Sequence, residues 1–158
     1  MTNQVTKDKT DVGAGLQRFL LLLPEDKGVD LTILKGHLLI EELMGDIIVK
    51  SLDGKNPLGI KVGQRMMFHE KLKLCWALNR DSVKDEVWGW LQELNKIRNL
   101  MAHTVEPVGV SERVGKLRNQ VISHSKLSKM IVEGRELGFA LAWLYIMLCQ
   151  ILHERENL

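Results

Sequence analysis

The sequence predicts an all-α fold, a bundle of four to five helices, from two observations. The three prolines, Pro24, Pro57 and Pro107, lie outside the long segments in which apolar residues recur every three or four positions, and proline is poorly tolerated inside helices. No alternating apolar and polar pattern long enough for a strand occurs. The 158 residues suffice for one domain and contain no repeat or low-complexity linker. We therefore predict a flexible N-terminal tail over residues 1–14 and a single helical domain over residues 15–158.

The first half of the chain contains three predicted helices. A short helix is predicted over residues 16–23, where Pro24 ends it. Asp30 is the predicted N-cap of a long helix over residues 31–52. Apolar residues spread around more than one face of that helix, which is typical of a helix with neighbours on several sides. A loop containing Gly, Asn and Pro follows, and then a helix over residues 64–78.

The second half continues with a helix over residues 84–103, for which Asp81 or Ser82 is the predicted cap. A basic helix over residues 111–125 and an apolar helix over residues 133–153 complete the chain. Three- and four-residue spacing predicts the buried stripe of the 84–103 helix. That stripe comprises Val87, Trp90, Leu94, Ile97 and Met101.

Charge is unevenly distributed along the chain. The net charge of +2 is too small to indicate nucleic-acid binding by itself. The segment from Lys96 to Arg135, however, contains eight basic residues and only three acidic ones. This segment is either a solvated helical face or a surface that attracts phosphate, and charge alone does not decide between them.

The cysteines and the last helix indicate a cytoplasmic protein. Cys75 and Cys149 lie in apolar helical segments without metal-ligand spacing, so we expect reduced core thiols. The N-terminus lacks the apolar stretch of a secretion signal. The apolar run from Leu137 to Leu152 has 16 residues, fewer than the roughly 20 that cross a bilayer. We therefore predict a core or dimer helix there and no membrane partner.

The stretch "KIRNLMAHT", residues 96–104, ends the fourth long segment and contains the candidate functional residues. With about 100° per residue, Arg98 lies roughly 40° from Leu94, Asn99 roughly 140° and His103 roughly 180°. Arg98 beside the buried stripe needs a partner or a groove, whereas His103 must face solvent, a ligand or a second subunit. Joint action of Arg98 and His103 requires either unwinding of the helix or a second copy of it. Alternatively, these cations simply interact with the helix C-terminus.

The arrangement of the motif within a helical bundle resembles the HEPN superfamily. "LNKIRNLMAHT" matches its R-N-x-x-x-H motif, and "HLLIEELMGDIIVKSL" followed by a loop and "FHEKLKLCWALN" looks like the front half of its members. The resemblance covers roughly residues 29–153, and the loop "LDGKNPLGIKVGQRMMFHEKLKL" is more weakly similar to the mannitol-operon repressor branch.

The HEPN resemblance implies a metal-independent RNA endonuclease that acts as a homodimer with two motifs facing each other in a cleft. Arg98, Asn99 and His103 match the motif and are the candidate catalytic residues. Histidine can move a proton and arginine can hold a phosphate, while the 2′-hydroxyl of RNA supplies the nucleophile. No metal or cofactor is expected. A toxin or defence effector, with RNA as substrate and an antitoxin or regulatory protein as partner, is the leading hypothesis. The rival is a non-catalytic helical regulatory or interaction module.

Other chemically active side chains have weaker patterns. Glu41 or Glu42 could pair with Arg98, or belong to a solvated strip or a structural ion pair. The remaining histidines lack metal-ligand spacing, so we expect surface or packed residues. These are His37, His69, His124 and His153. The four tryptophans are predicted to be core or dimer contacts rather than base-stacking residues. These are Trp76, Trp88, Trp90 and Trp143.

Overall fold

The computed structural model describes residues 12–53, 55–63 and 65–157, and these form an all-helical bundle. The predicted all-α class is confirmed, because this part of the chain contains no strand. The same residues form six α-helices and two short 3₁₀ turns. Each α-helix corresponds to one of the six helical segments predicted along the sequence, so the bundle has one helix more than the four to five expected. The helices are α1 (Val12–Leu22), α2 (Val29–Ser51), α3 (Phe68–Leu78), α4 (Asp85–His103), α5 (Val110–Ser125) and α6 (Glu136–Glu156).

The predicted N-terminal tail, residues 1–14, lies mostly outside the described residues. Residues 12–14 are described and belong to α1, so helix begins earlier than expected. Phe19 of α1 is completely buried, and its ring contacts that of Tyr145 with centroids 4.6 Å apart.

Helices α2 and α6 form the centre of the bundle. Helices α1 and α5 pack against α6, whereas α3 and α4 pack against α2. The prediction that α2 has neighbours on several sides is therefore confirmed. At Gly36 the two central helices approach closely, since a Cβ there would lie 2.8 Å from Cδ1 of Leu141.

The predicted helix caps are wrong because the chain enters its helices by other means. Helix α2 begins at Val29 after Gly28, whose φ of 102° is a conformation that favours glycine, and Asp30 lies inside the first turn. Helix α4 begins at Asp85, after both Asp81 and Ser82.

Helix α3 also begins later than predicted. It starts at Phe68 instead of near residue 64, and the backbone N–H of Met67 donates to the carboxylate of Glu70 at 2.8 Å. That bond satisfies an N–H at the start of the helix.

Helix α6 is longer than the apolar run that predicted it. Its 21 residues make it the one helix among those described that could span a membrane by length and composition. However, 56% of its most apolar 18-residue window is buried inside the bundle, as in a core helix. Cys149 lies in α6 and Cys75 in α3; both are free and buried, and burial raises the pKa of each thiol to about 12.

Candidate functional site

The R-N-x-x-x-H motif occupies the last turn and a half of α4. The helix continues through His103 and ends where Thr104 adopts an extended conformation. Arg98 is half-buried, whereas Asn99 and His103 are exposed. These placements agree with the helical winding calculated from the sequence. Because α4 stays regular, the helix does not unwind to bring Arg98 and His103 together within one chain.

The buried stripe of α4 was predicted only in part. Val87, Leu94 and Ile97 are buried as expected. Trp90 and Met101 are only half-buried, and Trp88 and Leu91, which lay outside the predicted stripe, are buried. The prediction that Trp88 is a core contact is confirmed. The stripe is therefore rotated toward Trp88 and Leu91, because α4 contacts α2 and α3 as well as α5.

Arg98 has few partners for a half-buried guanidinium. One of its terminal nitrogens donates to Oδ1 of the neighbouring Asn99 at 3.3 Å. Its Nε is buried and has no hydrogen-bond acceptor. No ion pair of Arg98 occurs within the described part of the chain. The guanidinium charge is therefore available to an anion from outside the chain.

The two carboxylates considered as partners of Arg98 form ion pairs with other cations. Glu41 accepts from Nζ of Lys71 at 3.2 Å, in a pair that is largely shielded from solvent. Glu42 accepts from Arg18 at 3.1 Å. The structural ion pair, one of the alternatives drawn from the sequence, is thus the observed arrangement for both.

Arg98 lines an open groove between the beginning of α2 and the end of α4. The groove has a volume of about 510 Å³, within the range of small-molecule sites. Its walls are mainly apolar, with Arg98 as the cation and Asp30 as the anion. The complete lining is Asp30, Leu31, Leu34, Arg98, Met101 and Ala102. Asn99 and His103 lie outside this lining.

A buried histidine, which the sequence did not single out, lies between α2 and α4 near Arg98. His37 is 3% exposed, its ring stacks on Phe68 with centroids 4.1 Å apart, and its Nε2 lies 3.0 Å from Oδ1 of Asn95. An amide oxygen only accepts, so Nε2 must donate and Nδ1 is left as an acceptor. Nδ1 is buried without a donor. The prediction of a packed or surface residue was correct, but its polar partner could not be foreseen.

The pKa of His37 is lowered, mainly because burial disfavours the imidazolium form. The hydrogen bond to Asn95 and the negative charge of Glu41 oppose that effect, whereas the positive charges of Arg98 and Lys71 add to it. The neutral imidazole is therefore favoured beside Arg98. His37 and Glu41 share a face of α2, and Asn95 and Arg98 share a face of α4, but neither spacing indicates that these two faces meet.

The basic segment does not form a uniformly positive surface. A groove of about 640 Å³ between α4 and α5 contains Arg113 and Lys116, but also Glu86, Glu93 and Glu112. Nε of Arg113 lies 3.0 Å from the carboxylate of Glu93. Charges of both signs thus alternate there, and the attraction of this groove for phosphate is weaker than the count of basic residues suggested.

Aromatic side chains from three helices form a separate cluster. Trp90, His124 and Trp143 make edge-to-face contacts, with ring centroids 5.1 to 6.1 Å apart. The cluster joins α4, α5 and α6 within one chain. These rings therefore act as packing contacts, as predicted for the two tryptophans.

Comparison with known proteins gives no assignment: no family model, no curated protein and no solved structure matches this chain. Within the described residues, no group of three or more His, Cys, Asp or Glu side chains is placed to hold a metal ion.

Proposed function

We propose that this chain is a metal-independent RNA endonuclease of HEPN type. The observation that carries the proposal is the environment of Arg98. Arg98 belongs to an R-N-x-x-x-H motif at the end of a bundle helix. It has no ion pair in the described residues, and it lines an open groove. An unpaired arginine at a groove is suited to bind a phosphate through two parallel hydrogen bonds.

The proposed reaction is transfer of a phosphodiester to the adjacent ribose. The 2′-oxygen attacks phosphorus, the bond between phosphorus and the 5′-oxygen breaks, and the products are a cyclic phosphate and a 5′-hydroxyl end. His103 takes the proton of the 2′-hydroxyl or gives one to the leaving oxygen, and water carries out the other of these two proton transfers. Arg98 stabilises the charge on the phosphate oxygens, and Asn99, which already contacts Arg98, orients it.

The proposed enzyme is a homodimer. Arg98 and His103 are about 140° apart around a regular helix, so the two side chains of one copy of α4 do not naturally meet. A two-fold axis beside α4 would place Arg98 of one copy next to His103 of the other. We further propose a cytoplasmic toxin or defence effector that a partner protein, such as an antitoxin, restrains.

RNA cleavage in EDTA by the purified protein tests the proposal. We expect the wild type to cut RNA and the His103→Ala variant to lose at least about a hundredfold in rate, a typical contribution of general acid–base catalysis. His69→Ala is the matched control, because His69 is also an exposed histidine but lies on α3. Equal cleavage by the wild type and the His103→Ala variant would reject the proposal.

A second candidate function is a non-catalytic helical regulatory or interaction module, similar to the mannitol-operon repressor family. Exposed apolar side chains on α2, which lines the groove together with Arg98, favour it: Leu34 and Leu38 are 37% and 46% exposed. In that case His103 would be a contact between subunits. Loss of the dimer or a lower melting temperature in the His103→Ala variant, with no RNA cleavage by the wild type, would support this candidate.

A further inference from the structure

The groove beside Arg98 contains a second charged group that the proposed chemistry does not use. Asp30 projects from the first turn of α2, is exposed, and has no hydrogen bond or ion pair within the described residues. It shares the groove with Arg98, yet the two do not pair. The apolar wall of the same groove is formed by Leu31, Leu34 and Met101. The groove thus combines a cation and a carboxylate, neither of which has an ion pair within the described residues, with an apolar wall.

A ligand that satisfies all three features has an anionic group, a flat apolar body and hydrogen-bond donors. A nucleotide of single-stranded RNA has this composition in its phosphate, the faces of its base and the edge of its base. Proteins commonly read such splayed bases through their Watson–Crick edges. The sulfur of Met101 is also suited to contact an aromatic ring. About 510 Å³ is ample for one nucleotide.

The carboxylate selects among the four bases. An ionised aspartate only accepts hydrogen bonds and does so with two oxygens side by side. Guanine is the base whose Watson–Crick edge presents two adjacent donors, its ring N–H and its exocyclic amino group. Uracil offers one donor there, and cytosine and adenine offer one amino group beside an acceptor that a carboxylate would repel.

We propose that the groove between α2 and α4 is a guanine subsite and that Asp30 determines its specificity. In this subsite Arg98 holds a phosphate of the guanine nucleotide, and the base packs on Leu31, Leu34 and Met101. This inference rests on the proposed function, because RNA as the ligand class is taken from it.

Binding of uncleavable RNA tests the subsite independently of catalysis. The probes are fluorescein-labelled 2′-O-methyl trinucleotides UGU, UAU, UCU and UUU, and fluorescence anisotropy with the full-length protein measures each Kd. We expect UGU to bind at least about tenfold more tightly than the others, as one bidentate pair provides. The Asp30→Asn variant should lose this preference, because an amide presents one acceptor and one donor.

The matched control is Asp26→Asn, which removes the same charge from an exposed aspartate outside the groove. The Asp26→Asn variant should keep the preference for UGU. Any general gain in RNA affinity that comes from losing one negative charge will appear in both variants, whereas the loss of selectivity should appear only in Asp30→Asn. Absence of binding, equal binding of the four probes, or an unchanged preference in Asp30→Asn would overturn the proposal.

Cleavage of the unmodified RNA distinguishes failure of the guanine subsite from failure of the proposed ribonuclease function. A preference for guanine that Asp30→Asn removes, without any cleavage by the wild type, would support the subsite and reject the ribonuclease. Cleavage that depends on His103 but has no base preference would support the ribonuclease and reject the subsite.

Discussion

Two polar junctions join helices in the interior of this bundle, and they differ in how completely their hydrogen bonds are made. The first, the Asn79 junction, joins the ends of α2, α3 and α6. Asn79 is 2% exposed and donates to the carbonyl of Cys75 at 2.9 Å and to Oγ of Ser51 at 3.2 Å. Arg155 donates to Oδ1 of Asn79 and to the carbonyl of Leu78, each at 2.8 Å.

The second, the His37 junction, comprises His37, Asn95 and Arg98 between α2 and α4. His37 is as buried as Asn79, but its ring makes one hydrogen bond and leaves Nδ1 without a donor. Nε of Arg98 is buried without an acceptor. Buried polar groups without partners cost stability, and they are concentrated where a protein binds something else. In the first junction the fold supplies partners for Asn79 and Arg155, whereas in the second it leaves Nδ1 of His37 and Nε of Arg98 without partners.

The largest effect on stability is expected from Asn79→Ala. The substitution removes the hydrogen bonds of the Asn79 side chain to Cys75 and Ser51 and leaves Nε of Arg155 without its acceptor, so that only the carbonyl of Leu78 still accepts from that guanidinium. The free energy of unfolding should fall by about 2–4 kcal/mol, which lowers Tm by about 5–10 °C in a chain of this size. Thermal unfolding followed by circular dichroism measures the change.

Asn119→Ala is the control for that substitution, because Asn119 is an exposed asparagine whose oxygen accepts from Arg118 at 3.1 Å. It should change stability by less than about 0.5 kcal/mol. Similar losses in the two variants would contradict the structural role of the Asn79 junction.

A smaller effect, which depends on pH, is expected at the His37 junction. The pKa of His37 is lowered in the folded protein, whereas the unfolded chain has an ordinary value of about 6.5. At a pH between the two pKa values, the unfolded state therefore binds more protons than the folded state. The stability contributed by neutral His37 is fully present above pH ~6.5 and is lost as the pH falls through the lower pKa of the folded state.

Urea unfolding from pH 7.5 to pH 5 measures this contribution. The wild type should lose more stability over that range than His37→Gln, whose amide can donate to Asn95 but does not titrate. His69→Gln, at an exposed histidine, should follow the wild type. Parallel curves for the wild type and His37→Gln would show that protonation of His37 is not linked to folding.

The smallest effect is expected from Arg98→Met. Methionine keeps the apolar part of the side chain and removes a buried donor that has no acceptor. The free energy of unfolding should rise or stay within about 1 kcal/mol of the wild type. Arg155→Met, in the satisfied junction, should be clearly destabilising. A loss of stability in Arg98→Met as large as that in Arg155→Met would remove the distinction between the two junctions.

The sequence predicted those features that depend on local periodicity. Helical winding alone placed Arg98 at the edge of the buried stripe and His103 on the outside, because α4 is regular to its last residue. The predicted cap residues of α2 and α4 were wrong. Gly28 and Lys84 precede those helices, and neither makes a side-chain hydrogen bond to the first turn.

Features that depend on neighbouring helices could not be predicted. Asp30 was interpreted as a cap, and only the approach of α2 to the end of α4 places it in the groove with Arg98. The bond between His37 and Asn95 joins residues 58 positions apart, and no spacing within either helix indicates it. Which cations pair with Glu41 and Glu42 likewise depended on where α3 and α1 pack.

The glycine at position 36 allows the two central helices to approach each other on the side of α2 that faces away from the groove. Leu34 lies about 160° around the helix from Gly36, so the face that packs on Leu141 is turned away from the face that lines the groove. A Cβ at position 36 would lie 2.8 Å from Cδ1 of Leu141, so either that side chain or α2 would have to shift. The close packing of α2 on α6 thus depends on a missing methyl group in the core, out of reach of whatever the groove binds.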